Sequence, residues 1–435
     1  MADLPPIKVR ERDGVLQALR AGVVPRVGLQ HIAVGRSGEI AQMLNDLDRV
    51  ASGGASFRLV VGDYGAGKTF FLTMVRLAAF EKRFVVMTAD LTPERRLFAT
   101  DGQARSLFAE LSRSTGTRTK PDGEALRSVV ERFAGEIREQ ASNRGQSVRA
   151  ILQERLEPLT EMVFGYDFSA VVASYVDAYD AGDDARSQAA LRWLRGEWAT
   201  RTDARAAVGV RAIIDDDTVY DALKLYARFF RLAGYAGLLV TLDELVNTYK
   251  LNSSKARQTN YEQILRMLND VLQGGAEGLG IVLGGTPEFL LDTRRGLYSY
   301  PALRSRLEEN VFARYGLIDL SGPVIRLGSL SPEDLFVLLQ RVRRVVAGDG
   351  TSGLHLPDEA LEAFLNHCET RIGEAYFRTP RETIRAFVQF ASVLEQNPGT
   401  LWSDLVDRIE VQSDEGAAND LASPEGDDEL AELRI

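Results

Sequence analysis

Five short apolar runs punctuate the chain, at residues 57–61, 83–90 (RFVVMTAD), 237–242 (GLLVTL), 279–284 (LGIVLG) and 323–327. Runs this brief and uniformly apolar predict strands of a parallel sheet buried on both faces. Between them, apolar residues recur at helical spacing. Leu126, Val129, Val130, Phe133 and Ile137 share one face of a predicted helix. Trp193 and Trp198 fall in another such helix and read as core, and an amphipathic helix spans about 261–272. Strands alternating with helices predict an α/β fold with helices on both faces of the sheet. The interval of about 100–216 reads as almost wholly helical, an insertion between the second and third strands. From residue 329 the pattern is helical only. Ser331 caps the first of these helices, Pro332 takes its first position, and Leu335, Leu338, Leu339, Val342 and Val346 form its buried stripe.

Composition changes this picture at the end of the chain. The formal charge is −10, yet eight acidic residues and no basic ones lie between Asp414 and Glu432. Residues 413–435 therefore read as a disordered acidic tail. The rest is nearly neutral and favours Arg over Lys, which suits bidentate phosphate or carboxylate contacts. That balance permits a nucleic-acid surface without pointing to one. The lone cysteine, Cys368, excludes an internal disulfide and suits a reducing cytoplasm. His367 beside it reads as an ordinary helix residue. The first residues lack the apolar core of a signal peptide, and no run approaches membrane-spanning length, so a cytoplasmic protein is expected.

The first strand runs into Gly62-Asp63-Tyr64-Gly65-Ala66-Gly67-Lys68-Thr69, an unbroken G-x-x-x-x-G-K-[ST] motif. Apolar helix (Phe70, Phe71, Leu72, Met74, Val75) follows it. Glycines let the backbone approach a ligand closely, so that successive N–H groups and the helix N-terminus can face phosphate oxygens. In this motif Lys68 reaches the β- and γ-phosphates and the Thr69 hydroxyl ligates Mg²⁺. The expected architecture is a P-loop NTPase core at 57–328, preceded by a segment at 1–56 that leads into the nucleotide site, and followed by a helical lid at 329–412.

Asp243 and Glu244 lie just past the end of the third strand, and ligands of open α/β sheets bind at strand carboxyl ends. Asp243 is expected to hold Mg²⁺ through water, and Glu244 to activate the attacking water as general base. The plainer reading is that the pair opens the next helix, where acids suit the dipole. Thr286 ends the fourth strand, either as a γ-phosphate sensor or as a simple turn residue. Arg304 and Arg306 are candidates for an arginine offered to a neighbouring subunit's nucleotide. In FRTPRETIRAF, Thr379 takes a cap position and Pro380 the first helical position. Arg381 then lies in the first turn, against the dipole, which suggests an outside anion; a solvated arginine is the alternative.

With these residues assembled, the chain resembles the AAA+ and related additional-strand P-loop ATPases that carry a helical lid. More specifically it resembles the BrxD family, the ATP-binding proteins of bacterial BREX phage-defence systems. The matching stretches are LRAGVVPRVGLQHIAVGR, VGDYGAGKTF, TLDELVNTYK, GGTPEFLLDTRRGLYSYPALRSRL and FRTPRETIRAF. The resemblance implies that Val34, Gly35 and Arg36 lie near the adenine, and that the cofactors are ATP and Mg²⁺. It also implies anti-phage defence beside a helicase-like partner. The chain is similar as well to initiator-type ATPases, but no winged-helix domain follows the lid helices, so sequence-specific DNA binding is not expected. The expected activity is ATP hydrolysis by a homo-oligomer sharing sites between subunits, with ATP closing the lid. The competing expectation is a nucleotide-gated scaffold with negligible turnover.

Overall fold

A computed structural model describes residues 6–310, 319–348, 356–373 and 380–410. The acidic tail expected at 413–435 and the Thr379 cap lie outside the described residues. The chain divides into two units: Ser37–Val61 with Lys68–Arg326, and Met1–Arg36 with Gly62–Gly67 and Leu327–Ile435.

The first unit is built on a sheet. Its strands are β1 (Ser56–Gly62), β2 (Val85–Asp90), β3 (Leu238–Asp243), β4 (Leu279–Gly285) and β5 (Val324–Leu327), in the order β2-β3-β4-β1-β5. The β2–β3, β3–β4 and β4–β1 pairings are parallel. All five predicted runs are strands, displaced by at most two residues at their ends. Every residue of β1, β3 and β4 is buried, as expected where helices cover both faces. The register sets Asp90, the last residue of β2, beside Asp243, the last of β3. On the outer side of β2, Val86 and Gly116 each donate their N–H to the other's carbonyl, at 3.0 and 2.8 Å. Thr88 N–H donates to Ser114 Oγ at 2.8 Å.

The helical insertion holds α4 (Gln103–Arg113), α5 (Leu126–Arg144), α6 (Val148–Leu156), α7 (Gly165–Ala181), α8 (Asp184–Leu194) and α9 (Arg201–Val208), followed by α10 (Val219–Leu232). It shares one continuous core with the sheet rather than folding apart. Helix α10 makes the join, since Tyr226, Phe229 and Phe230 are all buried in that core. Phe168 of α7 stands edge-on to Phe229 at 4.9 Å and to Tyr226 at 5.4 Å, a geometry that rings favour over face-to-face stacking. Trp193 is buried as predicted. Trp198 corrects the sequence reading: α8 stops at Leu194, Gly196 turns the chain at a φ of 66°, and Trp198 lies beyond the helix. There its indole N–H donates to the Ala189 carbonyl at 3.2 Å and Arg192 covers its ring.

The remaining helices of this unit are α2 (Ser37–Ala51), α3 (Lys68–Glu81), α11 (Val246–Tyr249), α12 (Ser254–Leu272), α13 (Pro287–Leu291) and α14 (Pro301–Leu307). One buried ion pair ties α2 to the sheet. Arg58 of β1 is 3% exposed and donates from Nε and Nη2 to the two carboxylate oxygens of Asp46, which is 1% exposed. Its Nη1 donates to the carbonyls of Leu320, Ser321 and Gly322, the segment leading into β5. Every donor edge of the buried guanidinium is thereby used, the condition under which such a charge is tolerated inside.

The second unit carries α1 (Val9–Arg20), α15 (Pro332–Ala347), α16 (Asp358–Ile372), α17 (Pro380–Gln396) and the short α18 (Ser403–Val406). Ser331 caps α15 by accepting from Asp334 N–H at 3.1 Å, with Pro332 at the first position, and the predicted stripe is buried. Arg12 of α1 donates to the Val346 carbonyl and to Glu395, and Arg20 to Ser392 Oγ. His31 Nε2 lies 3.0 Å from Glu11 Oε2. His367 and Cys368 sit in α16, the cysteine buried. No helix among the described residues is long and apolar enough to cross a membrane.

Candidate functional site

In the first unit the candidate chemistry collects at the carboxyl ends of β2, β3 and β4. Lys68 and Thr69 open α3, whose first turn holds no acidic residue, so its positive end is left for an anion. Thr69 Oγ1 donates to Asp243 Oδ2 at 3.0 Å, a contact between residues 174 positions apart. Asp243 is 8% exposed and ends β3 itself rather than following it. Its other oxygen, Oδ1, accepts from Glu244 N–H at 2.9 Å.

Room for that carboxylate comes from Gly284 of β4. A Cβ there would lie 3.1 Å from Asp243 Cγ and closer still to Oδ1, far inside ordinary contact. Gly284 thus serves as a space, one residue before the end of its strand.

Glu244 is exposed and holds φ at 58°, the left-handed region, where a non-glycine residue is strained by about 1–3 kcal/mol. Four hydrogen bonds hold this turn. Leu91 N–H donates to the Asp243 carbonyl at 3.0 Å and Leu245 N–H to the Gly284 carbonyl at 3.1 Å. Asn247 N–H donates to the Glu244 carbonyl at 3.0 Å, and its side-chain Nδ2 to the Leu91 carbonyl at 2.7 Å. Strain survives only where surrounding bonds fix the conformation, and here three strand ends supply them.

Electrostatically the cluster is acidic. Withdrawal from water, then the Asp243 carboxylate, push the Glu244 carboxyl above its ordinary value, while Lys68 opposes the shift. Desolvation and Asp243 push Asp90 up in the same way. Three carboxyls, opposed by Lys68 and Lys250 at Glu244 and by Arg95 at Asp90, stand beside a hydroxyl and a carboxylate 3.0 Å apart, an all-oxygen donor set. That chemistry fits Mg²⁺, which takes one or two protein oxygens and completes its shell with phosphate and water. Asp90 and Asn247 were missed by the sequence reading. Asp90 looks there like the last letter of a strand, and Asn247 is one polar residue in a short helix; only the register β2–β3 gives either a role.

Thr286 caps α13, its Oγ1 accepting from Phe289 N–H at 3.4 Å. Arg304 and Arg306 lie in the last turn of α14, both exposed. Arg304 faces Glu308 at 4.0 Å and covers the Tyr298 ring, and Arg306 Nη1 donates to the Ala302 carbonyl at 2.9 Å.

In the second unit, residues Gly62–Gly67 form a tight turn in which Ala66 N–H donates to the Asp63 carbonyl at 3.2 Å. Gly65 and Gly67 hold φ at 80° and 85°, open to glycine without strain. Arg36 Nη2 donates to the Ala66 carbonyl at 3.2 Å and to the Gly328 carbonyl. Gly35 and Arg36 both lie in the left-handed region, with φ of 67° and 62°. Tyr64 is 46% exposed, and Arg381 Nη1 donates to its hydroxyl at 3.4 Å. Arg381 and Arg36 thus both reach the glycine-rich turn.

A parallel α/β sheet with a glycine-rich turn ahead of a helix and acids at its strand ends has the parts of a nucleotide-binding protein. The chain belongs to the family of BREX system ATP-binding proteins BrxC/D, whose model matches residues 7–410. Membership gives it ATP binding and a role in a BREX defence system, as the matching stretches implied. A comparison with curated proteins finds no match.

Proposed function

We propose that the chain is a Mg²⁺-dependent ATPase of the additional-strand P-loop class, in which turnover drives a conformational switch. The observation that carries this reading is the Thr69–Asp243 hydrogen bond at 3.0 Å with Glu244 beside it. It is supported by strand order, since β4 lies as an extra strand between β1, which leads to the loop, and β3, which bears the acids.

Bound Mg²⁺ supplies Lewis-acid neutralisation of developing phosphate charge. Thr69 and Asp243 hold it, the latter through water, and Lys68 neutralises the terminal phosphates. Residues Gly62–Gly67 present backbone N–H groups, and Arg381, bonded to Tyr64, contributes a phosphate contact. Gly35 and Arg36 stand near the base. Glu244 orients water and takes its proton at the carboxylate, and its raised pKa improves that basicity. Thr286 has a lone pair committed to Phe289 N–H, which leaves its hydroxyl proton to donate to a phosphate oxygen. Arg304 or Arg306 serves a neighbouring subunit of a homo-oligomer. Helices α15–α17 act as the lid, and the output is remodelling of other defence proteins, among them a helicase-like partner.

Phosphate release by the pure protein beside Glu244→Gln tests this. Glu244→Gln is expected to lower turnover by about 10²–10⁴-fold, the typical worth of a general base, with ATP affinity kept. Wild type that binds ATP and releases no phosphate, with or without its own oligomer, would leave the scaffold reading standing.

A further inference from the structure

Two loops leave the sheet directly after the candidate hydrolytic residues. One runs from Glu244 through α11 to α12, and the other from Thr286 through α13 to α14. They are bound to each other. Tyr249 hydroxyl donates to Asp292 Oδ2 at 2.8 Å, Arg295 Nη2 to the Tyr249 and Leu251 carbonyls at 3.4 and 3.5 Å, and Tyr261 hydroxyl to the Arg295 carbonyl at 2.7 Å.

This joined surface is basic. It carries Lys250, Lys255, Arg257, Arg294 and Arg295, and no acidic residue falls between 250 and 257. None of the five forms an ion pair with a carboxylate among the described residues. On α5, by contrast, Arg127, Arg132, Arg138 and Arg144 each meet one. The nearest acid, Asp292, is occupied by Tyr249 and by the N–H groups of Arg294 and Arg295. The other acids on these elements are Glu244, Glu262 and Glu288, all exposed, and the half-buried Asp270, which accepts from Lys224 Nζ at 2.9 Å. Arg257 and Arg295 are half-buried braces, with Arg257 donating to the Leu251 and Asn252 carbonyls. Lys250, Lys255 and Arg294 are exposed and can meet a ligand, although Lys250 also acts on Glu244 and Arg294 on Asp292.

Two further facts select the ligand. Helix α12 is capped by Ser253, has no acid in its first turn, and instead carries Lys255 and Arg257 there, against its dipole. Cations at that end are unfavourable unless an anion offsets them. The exposed side chains around them are Asn252, Ser253, Ser254 and Gln258, the small polar residues that accompany Lys and Arg on phosphate oxygens. No exposed large apolar side chain lies in either loop to seed a protein interface, beyond Leu291 at the end of α13.

We propose that this surface binds the phosphate backbone of nucleic acid, and that occupancy is felt at Glu244 and Thr286 through the loops that carry them. The binding half stands alone; the coupling half rests on the hydrolysis proposed above.

The test is fluorescence anisotropy with labelled duplex DNA, single-stranded DNA and RNA of one sequence, comparing wild type with Lys255→Glu/Arg294→Glu. Three outward cations predict a log affinity against log salt slope of about −3 on duplex. The double variant is expected to lose at least about tenfold in affinity and to flatten that slope by about 2. Basal phosphate release is expected to stay unchanged while its stimulation by the bound polymer disappears. Whichever of the three polymers binds most tightly at equal salt identifies the source. Equal affinity of variant and wild type, or no binding to any polymer at low salt, overturns the proposal. Equal retention by polyglutamate also overturns it, in favour of an acidic protein partner. A chain without turnover leaves the anisotropy comparison intact, so failure of hydrolysis and failure of binding are separately visible.

Discussion

Gly284 lies where any Cβ would collide with the Asp243 carboxylate, so β4 holds open the space that β3 fills. The expected consequence is specific to one methyl group. Gly284→Ala has to displace Asp243 and break its 3.0 Å bond to Thr69. Turnover and the Mg²⁺ dependence of ATP binding should both fall, while the melting temperature moves by a few degrees at most. Unchanged Mg²⁺ titration in Gly284→Ala would mean that the Asp243 position is not what supports the cation.

A second expectation concerns stability alone. Removing Asp46 leaves Arg58 charged and unpaired inside the sheet unit, and breaking a buried pair this way costs about 3–5 kcal/mol. Asp46→Ala should therefore shift the denaturant midpoint strongly. Replacing both residues with apolar ones of similar volume should recover much of the loss. A single variant as stable as wild type would show that the guanidinium finds water or another partner.

Acid sensitivity has a defined sign in the other unit. The hydrogen bond from His31, helped by the Lys8 N–H, holds the Glu11 carboxyl below its ordinary 4.5. The folded state then binds fewer protons than the unfolded one. The contribution is complete above about pH 4.5 and is lost as pH falls through the lowered value. Glu11→Gln should be less stable than wild type by roughly 1 kcal/mol at neutral pH. That gap should close on acidification below the ordinary value, measured by urea unfolding at a series of pH values. A gap independent of pH would assign the loss to packing.

Much of this protein could be read from its letters because its architecture writes itself locally. Parallel strands covered on both faces must be apolar at every position, so five short runs marked the sheet. The loop motif and the Asp243-Glu244 pair were legible for the same reason, since each is a contiguous string at a strand end. What stayed hidden depends on register or on a partner far along the chain. Nothing near Asp90 announces that β2 lies beside β3 and brings it against Asp243. Asp46 and Arg58 are two charges in apolar surroundings until the fold closes them on each other. Gly284 was visible as the end of a strand, but the reason for a glycine is a side chain on another strand. Trp198 was misplaced because aromatic spacing continues across Gly196, where the backbone does not.

The bridge between Val86 and Gly116 has a bearing on how copies of this chain can associate. A sheet edge with free N–H and C=O groups is a template onto which a foreign strand can dock and seed fibres. On β2 that template is taken, because Val86 is bonded both ways to Gly116 and Thr88 N–H is spent on Ser114. The turn between α4 and α5, inside the insertion, is therefore also a guard. It closes the β2 margin to strand addition, so self-association by that route would first require peeling the insertion away from the sheet that shares its core.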